Sequence, residues 1–323
     1  MKRFFEYRLS PRRVILPILG MFVVVLLSST LCTLSVTQID PSTGTIVDAH
    51  LGGVWLLSML VAWATMVALC ALLYPLTTET LQPAGFEGEK LQTDYNFGSY
   101  LKLSAIGSLL TILTAGIYAP WFCVRLTRYF CEGASWRMRP FGFHAKGMGL
   151  FVIITLVLLL PSVVLGIISA LLFGATLDAT ALTPTLALGA LVGYILATLW
   201  MGLLCVTVTR WMVDLSNGSQ RITCDAPIGR STLFVAGQLL LTLLTLGLYA
   251  PMMELRTMQY FARYTRIGDQ EKAPRLGMHL RPWHDWAYLW LHALLVALTL
   301  GLYLPWYYTR ILNRFIPRLY VND

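Results

Sequence analysis

The side chains best suited to chemistry gather near the carboxy-terminal end of this chain, where His279, His284, Asp285 and His292 stand close together in the sequence. His284 and His292 are about two helical turns apart, and two imidazoles with a carboxylate form a donor set that zinc accepts. No second ligand pair at fixed spacing accompanies them, and loop or interface positions account for the same residues, so no metal is expected. The sequence holds no H-E-x-x-H, P-loop or G-x-S-x-G elbow, and no two carboxylates within reach on one helix face. Glu254 beside Arg256 reads as a solvated ion pair. The six cysteines are scattered without a C-x-x-C and fall in or beside apolar stretches, which is cysteine used as a small packing residue. The reading is of a non-enzymatic protein with no cofactor.

Composition sets the elements that must carry these residues. Apolar residues make up 57% of the 323 positions and charged ones 12%, against about 25% charged in soluble domains. Predominantly apolar stretches of about 20 residues, enough to cross a hydrocarbon core of about 30 Å, occur at 14–37, 51–76, 100–121, 150–173, 185–208, 232–253 and 286–306. The expected fold is an all-α polytopic membrane protein with seven hydrophobic segments, forming one integral membrane domain over 1–323. The run from Val14 to Val36 exceeds the h-region of about 7–15 residues that a signal peptide uses, so it reads as a retained span. The net charge of +8 sits at segment boundaries, which argues against nucleic acid as a partner.

One segment recurs three times: LTILTAGIYAPWFCVRLTRYF from Leu110, LTLLTLGLYAPMMELRTMQYF from Leu241 and LVALTLGLYLPWYYTRILNRF from Leu295. Eight of the 21 aligned positions are identical in all three, the mark of a modular fold. A proline stands four residues after a glycine in each copy, in the sets Gly116, Tyr118 and Pro120; Gly247, Tyr249 and Pro251; and Gly301, Tyr303 and Pro305. Proline lacks an N–H and crowds the carbonyl four residues back, so each copy is expected to break its helix there. Beyond the break the copies turn aromatic and basic, with Trp121, Arg125 and Arg128, then Arg256 and Arg263, then Trp306, Arg310 and Arg314. That mixture suits a helix at the headgroup layer and contact with anionic lipid or a partner. Tyr118 and Tyr249, like Arg125 and Arg256, lie 131 residues apart. This spacing frames two tandem units of a helix pair plus a Gly/Pro-broken motif helix, 14–131 and 150–262, with a third motif copy at 284–316.

Basic residues orient the chain. Five precede the first span, and none occurs in the connections 38–50 and 174–184, which are therefore expected outside, with the amino terminus in the cytoplasm. The basic regions 122–149, 209–231 and 254–285 and the tail are expected inside. Seven full crossings contradict that pattern; four full spans with three motif segments that enter and leave on the cytoplasmic side satisfy it. The four full spans contain no Asp, Glu, Lys or Arg, so proton-coupled transport through them is disfavoured. Gly189 and Gly193, at G-x-x-x-G spacing, mark a close helix approach.

The signature T-x-G-[IL]-Y-x-P-W-x-x-x-R at Thr114–Arg125 and Thr299–Arg310, with Phe141, Phe143, Gly147 and Phe151 after the first copy, resembles the YjgN family of bacterial inner-membrane proteins. Met252 stands where that pattern has tryptophan. The resemblance implies a multi-pass inner-membrane protein without an assigned activity, and an association with membrane zinc metallopeptidases, beside which such proteins are encoded. The expected function is a non-enzymatic scaffold or accessory subunit that binds a membrane partner, such as a zinc metallopeptidase, together with anionic lipid. The alternative is a flippase-like carrier of a lipid or amphipathic molecule, with the Gly-x-Tyr-x-Pro breaks lining its path.

Overall fold

The computed structural model describes residues 2–36, 51–159, 162–163, 166, 184–218, 220–268 and 273–322. The expected outside connection 38–50 lies outside these residues, as do 174–183 of the other connection and most of 160–173.

The described chain corrects the all-α expectation. In sequence order the elements are β1 (Lys2–Glu6), α1 (Pro11–Val36), α2 (Leu51–Leu81), β2 (Gly85–Phe86), β3 (Glu89–Lys90), β4 (Gln92–Thr93), α3 (Phe97–Leu113), α4 (Ala119–Glu132), β5 (Ala134–Trp136), β6 (Arg139–Phe143) and α5 (Gly147–Ile153). A π-helical stretch, Ile154–Leu159, extends α5. There follow α6 (Pro184–Met212), β7 (Asp214–Asn217), β8 (Gln220–Cys224), α7 (Ile228–Leu244), α8 (Ala250–Tyr264), β9 (Thr265–Ile267), β10 (Arg275–Met278), α9 (Pro282–Leu298), α10 (Leu304–Phe315) and β11 (Leu319–Asn322). Among the described residues the strands form an 11-stranded sheet in the order β3-β2-β1-β11-β10-β9-β8-β7-β6-β5-β4, with antiparallel pairing between described neighbours. The stretches read as basic connections between spans thus contain strands: β5 and β6 in 122–149, β7 and β8 in 209–231, and β9 and β10 in 254–285. Nor are there seven equivalent segments. Among the described residues three helices, Pro11–Thr30, Ser58–Leu81 and Gly193–Met212, are long and apolar enough to cross a bilayer, beside shorter apolar helices at Phe97–Leu113, Gly147–Val157 and Ile228–Leu244.

The strand pairs close the helical excursions. Glu6 is in register with Gly85 across α1 and α2, Thr93 with Ala134 across α3 and α4, Cys224 with Thr265 across α7 and α8, and Met278 with Leu319 across α9 and α10. For the excursion through α5 and α6, the His144 amide donates to the Asp214 carbonyl at 3.0 Å. Each excursion therefore returns to the strand neighbouring the one it left.

Two compact units contain these elements: Phe5–Phe141 with Leu291–Pro317, and Gly142–Trp290 with Met1–Phe4 and Arg318–Asp323. In the first unit α1 and α2 run antiparallel. Arg13 pairs with Glu79 at 3.2 Å near one end, and the Thr65 hydroxyl donates to Ser28 at 3.0 Å towards the other. Tyr7, Leu9, Val14 and Ile18 form one core there, packed by Tyr308 and Leu312, and Cys70, Tyr100 and Phe122 form another. In the second unit Val206, Cys224, Ala226, Val235 and Phe261 make the core. The close helix approach falls at Gly202, where an added Cβ would lie 2.8 Å from the Thr232 carbonyl oxygen. Gly193 meets nothing within 4 Å among the described residues, and the surroundings of Gly189 lie outside them.

Candidate functional site at the broken hairpins

Each motif segment is two helices joined by a tight turn, and in the first two segments the helices pack on one another. In the first, the Tyr129 hydroxyl donates to the Asn96 carbonyl at 2.7 Å while the Asn96 amide donates back at 2.9 Å. Nearer the turn, a Cβ on Gly107 would stand 2.1 Å from the Phe122 ring. In the second, Phe234 stacks on Tyr260 at 4.3 Å and Ser231 bonds Tyr260 at 3.1 Å. In the third, His292 and Tyr303 meet across the turn.

The turn has the same geometry in all three. The helix ends at Thr114, Thr245 or Thr299. The next residue takes a left-handed conformation, with φ of 49° at Ala115, Leu246 and Leu300, and the glycine follows at 89°, 88° and 91°. The glycine amide donates back to Thr111, Thr242 or Val296 at 2.7, 2.7 and 2.8 Å, the six-to-one bond that ends a helix in a Schellman turn. The threonine locks the bend. Its hydroxyl donates to the carbonyl four residues back at 2.7, 2.8 and 2.7 Å. It also accepts the amide of Tyr118, Tyr249 or Tyr303 at 3.0 Å in each case. Proline then sits in the first turn of the next helix, where its missing N–H costs nothing. The helix breaks where the sequence says, but the bend is made by threonine and two left-handed residues, with proline starting the second helix.

The tips are apolar and open. Leu246 is 94% exposed, Leu300 82% and Leu113 67%, and Ile117, Leu248 and Leu302 are exposed too. Leucines so exposed at a left-handed turn mark a surface that faces something other than water.

Behind the tips lie the arginines. Arg125, Arg256 and Arg310 sit over the rings of Tyr118, Tyr249 and Tyr303 at 5.7, 5.7 and 5.8 Å, within cation–π range. Trp121 stacks on Tyr118 at 6.4 Å and Trp306 on Tyr303 at 6.1 Å. Met252, in the tryptophan position of the second copy, is buried instead. Arg128 reaches Glu132 at 3.9 Å, Arg263 is exposed in the last turn of α8, and Arg314 lies in the last turn of α10.

The tyrosine hydroxyls differ. Tyr249 donates to Gln238 Oε1 at 2.7 Å, Tyr303 meets His292 and Arg310, and the buried Tyr118 hydroxyl has no partner among the described residues. The second turn has a feature that the sequence did not reveal: the indoles of Trp286 and Trp290 both donate to the Leu248 carbonyl, at 2.8 and 2.9 Å.

The histidine-rich stretch does not converge. Asp285 is fully buried and receives Arg318 Nη1 at 2.8 and 2.7 Å on its two oxygens, while His284 is exposed on the same helix. No cluster of three His, Cys, Asp or Glu suited to a metal occurs among the described residues. At the hairpin bases, outside the apolar helices, burial and then the neighbouring Cys131, Tyr129 and Tyr74 hold the Tyr95 phenol above its usual range. Burial, and then Tyr308, does the same for Tyr7.

Long apolar helices, apolar hairpin tips backed by arginine, and a sheet of short strands define an integral membrane protein. The chain belongs to the DUF898 family, bacterial proteins of unknown function, whose model matches residues 89–203 and 140–276. It is similar to the inner membrane protein YjgN of Salmonella typhimurium strain LT2, with 37% identity over 71 residues. That match covers 22% of this chain and 18% of the relative's length. Together these findings bear out the resemblance read from the motif and support an inner-membrane location. No solved structure matches the chain.

Proposed function

We propose that this protein is a non-enzymatic, multi-pass inner-membrane scaffold or accessory subunit. The repeated hairpins dip into the cytoplasmic leaflet and return, and Arg125, Arg256 and Arg310 hold anionic headgroups there. The observation that carries this reading is the layering within each hairpin: exposed leucine or isoleucine at the tip, then tyrosine, then arginine two helical turns beyond the tyrosine. A leaflet presents hydrocarbon and then phosphate in the same order. In register with one another, the strands at the base of each excursion put both of its ends on one side. Basic residues make that side cytoplasmic, with the amino terminus there. A membrane partner, such as a zinc metallopeptidase, docks on the surface so anchored.

The test is purification from native membranes in mild detergent, followed by mass spectrometry of bound proteins and lipids. A stoichiometric protein partner and enriched anionic lipid are expected, with the lipid depleted in the Arg125→Gln/Arg256→Gln/Arg310→Gln variant. Partner-free recovery with unselective lipid would overturn the proposal.

A further inference from the structure

The tip of the second hairpin is held by the helix that follows it in the chain. The indoles of Trp286 and Trp290 both donate to the Leu248 carbonyl, at 2.8 and 2.9 Å, which occupies both lone pairs of that oxygen. The turn takes this carbonyl out of the helical ladder: the Met252 amide, its partner in an unbroken helix, donates to Tyr249 instead. At an apolar tip the freed carbonyl needs a donor from the protein, since hydrocarbon offers none. The two tryptophans are particular to the third motif copy. Counted back from the turn glycine, the same positions hold Leu101 and Ala105 in the first copy and Thr232 and Ala236 in the second.

The two donors stand at a defined height. α9 starts at Pro282, and the fully buried Asp285 fixes that start, accepting the Arg281 amide at 2.8 Å and the Arg318 guanidinium. At about 1.5 Å per residue the indoles come from roughly 6 and 12 Å along the helix. A second tie lies nearer the sheet, where Gln259 Nε2 donates to the Met278 carbonyl at 2.9 Å and α8 packs along β10. α8 therefore runs beside the chain from Met278 to Trp290, in the opposite direction. Arg256, three residues from Gln259 on the way to the tip, is level with the stretch just after Met278. There Arg281 is exposed and Trp283 is 81% exposed. Arginine beside an open indole is the composition of a cytoplasmic membrane boundary, and the exposed Leu244, Leu246 and Leu248 follow at the tip.

We propose that the second hairpin and the head of α9 dock on the cytoplasmic leaflet as one surface: Arg281 and Trp283 lie in its headgroup layer, level with Arg256, and the clasp of Trp286 and Trp290 stops Leu246 short of the bilayer midplane. The inference rests on reading Arg256 as a headgroup contact, and adds to it a second arginine and a depth. The midplane lies about 15 Å below the edge of the hydrocarbon, whereas the clasp leaves Leu246 only about 5–10 Å deeper than Trp283.

The test places single spin labels through Leu246→Cys or Trp283→Cys in the full-length chain, cleared of its native cysteines and reconstituted in bilayers of phosphatidylglycerol and phosphatidylcholine. Power saturation with oxygen, which gathers in hydrocarbon, and with a water-soluble nickel chelate reads the depth of each label. The Trp283 label is expected at headgroup level and the Leu246 label about 5–10 Å deeper. Trp286→Phe/Trp290→Phe keeps both rings and removes both donors, and in it the Leu246 label is expected to lose its fixed depth and to move faster. A Leu246 label at the midplane, a Trp283 label within the hydrocarbon, or a Leu246 label unchanged in the double variant overturns the proposal while the headgroup reading of Arg256 stands. Both labels open to the nickel chelate as in free solution would overturn the headgroup reading and the proposal with it. The depths in the otherwise unaltered clasp decide the matter even where the double variant does not fold.

Discussion

Replacing Gly247 with alanine tests whether the bend is set by backbone conformation. An added Cβ at this position meets nothing within 4 Å among the described residues, and φ is +88°. Packing therefore contributes no cost, and the change is felt through the left-handed backbone alone, at about 1–2 kcal/mol. Gly237 is the control. It lies in α7, its added Cβ also meets nothing within 4 Å among the described residues, and its φ is not in the left-handed range. Alanine there should stabilise the helix by about 0.5–1 kcal/mol. The same chemical change in equally open space should then shift stability in opposite directions, with a gap of about 2 kcal/mol between the variants. Reversible unfolding in mixed micelles, followed by tryptophan fluorescence, gives both values. Equal effects, or a Gly247→Ala variant as stable as the wild type, would refute the account of the turn.

Removing the threonine lock by Thr299→Val leaves the Tyr303 amide without its acceptor and should cost about 1–3 kcal/mol in the same unfolding assay, with Thr114→Val and Thr245→Val behaving alike. Asp285→Ala removes the fully buried carboxylate that receives Arg318 on both oxygens and should cost about 1–3 kcal/mol, part of which returns in the Asp285→Ala/Arg318→Met double variant. The raised phenols of Tyr7 and Tyr95 predict an alkaline loss of stability. Unfolded tyrosine ionises near pH 10 while these stay neutral in the fold, so their contribution is full below about pH 10 and is lost as pH rises through their folded values. Thermal melts at increasing alkaline pH should show that fall, and Tyr95→Phe should blunt it.

The break positions were legible because Thr-x-Gly-x-Tyr-x-Pro names both its helix end and its helix start. The contact between tyrosine and arginine was legible as well, since residues seven apart share a helix face. The sheet was not. Strands such as Glu89–Lys90 and Gln92–Thr93 have two residues, too short for an alternating pattern to register against basic loops. One signal stood in view: Gly218, between Leu215 and Ile222, marks a turn, and β7 and β8 do pair on either side of it, with Asn217 in register with Gln220. The openness of the tips was hidden because Leu246 and Leu300 sit in runs that look like the interior of a span. The clasp of Trp286 and Trp290 on Leu248 joins residues some forty positions apart, and no local pattern encodes it.

The central claim is that the motif segments enter and leave on the cytoplasmic side. In a chain cleared of its native cysteines, single cysteines at Met138, in the β5–β6 turn, and at Gln220, on β8, are both exposed. A membrane-impermeant thiol reagent applied to spheroplasts should leave both unlabelled until the membrane is permeabilised. Labelling of both from outside would mean that the motif segments cross completely, and would contradict the account.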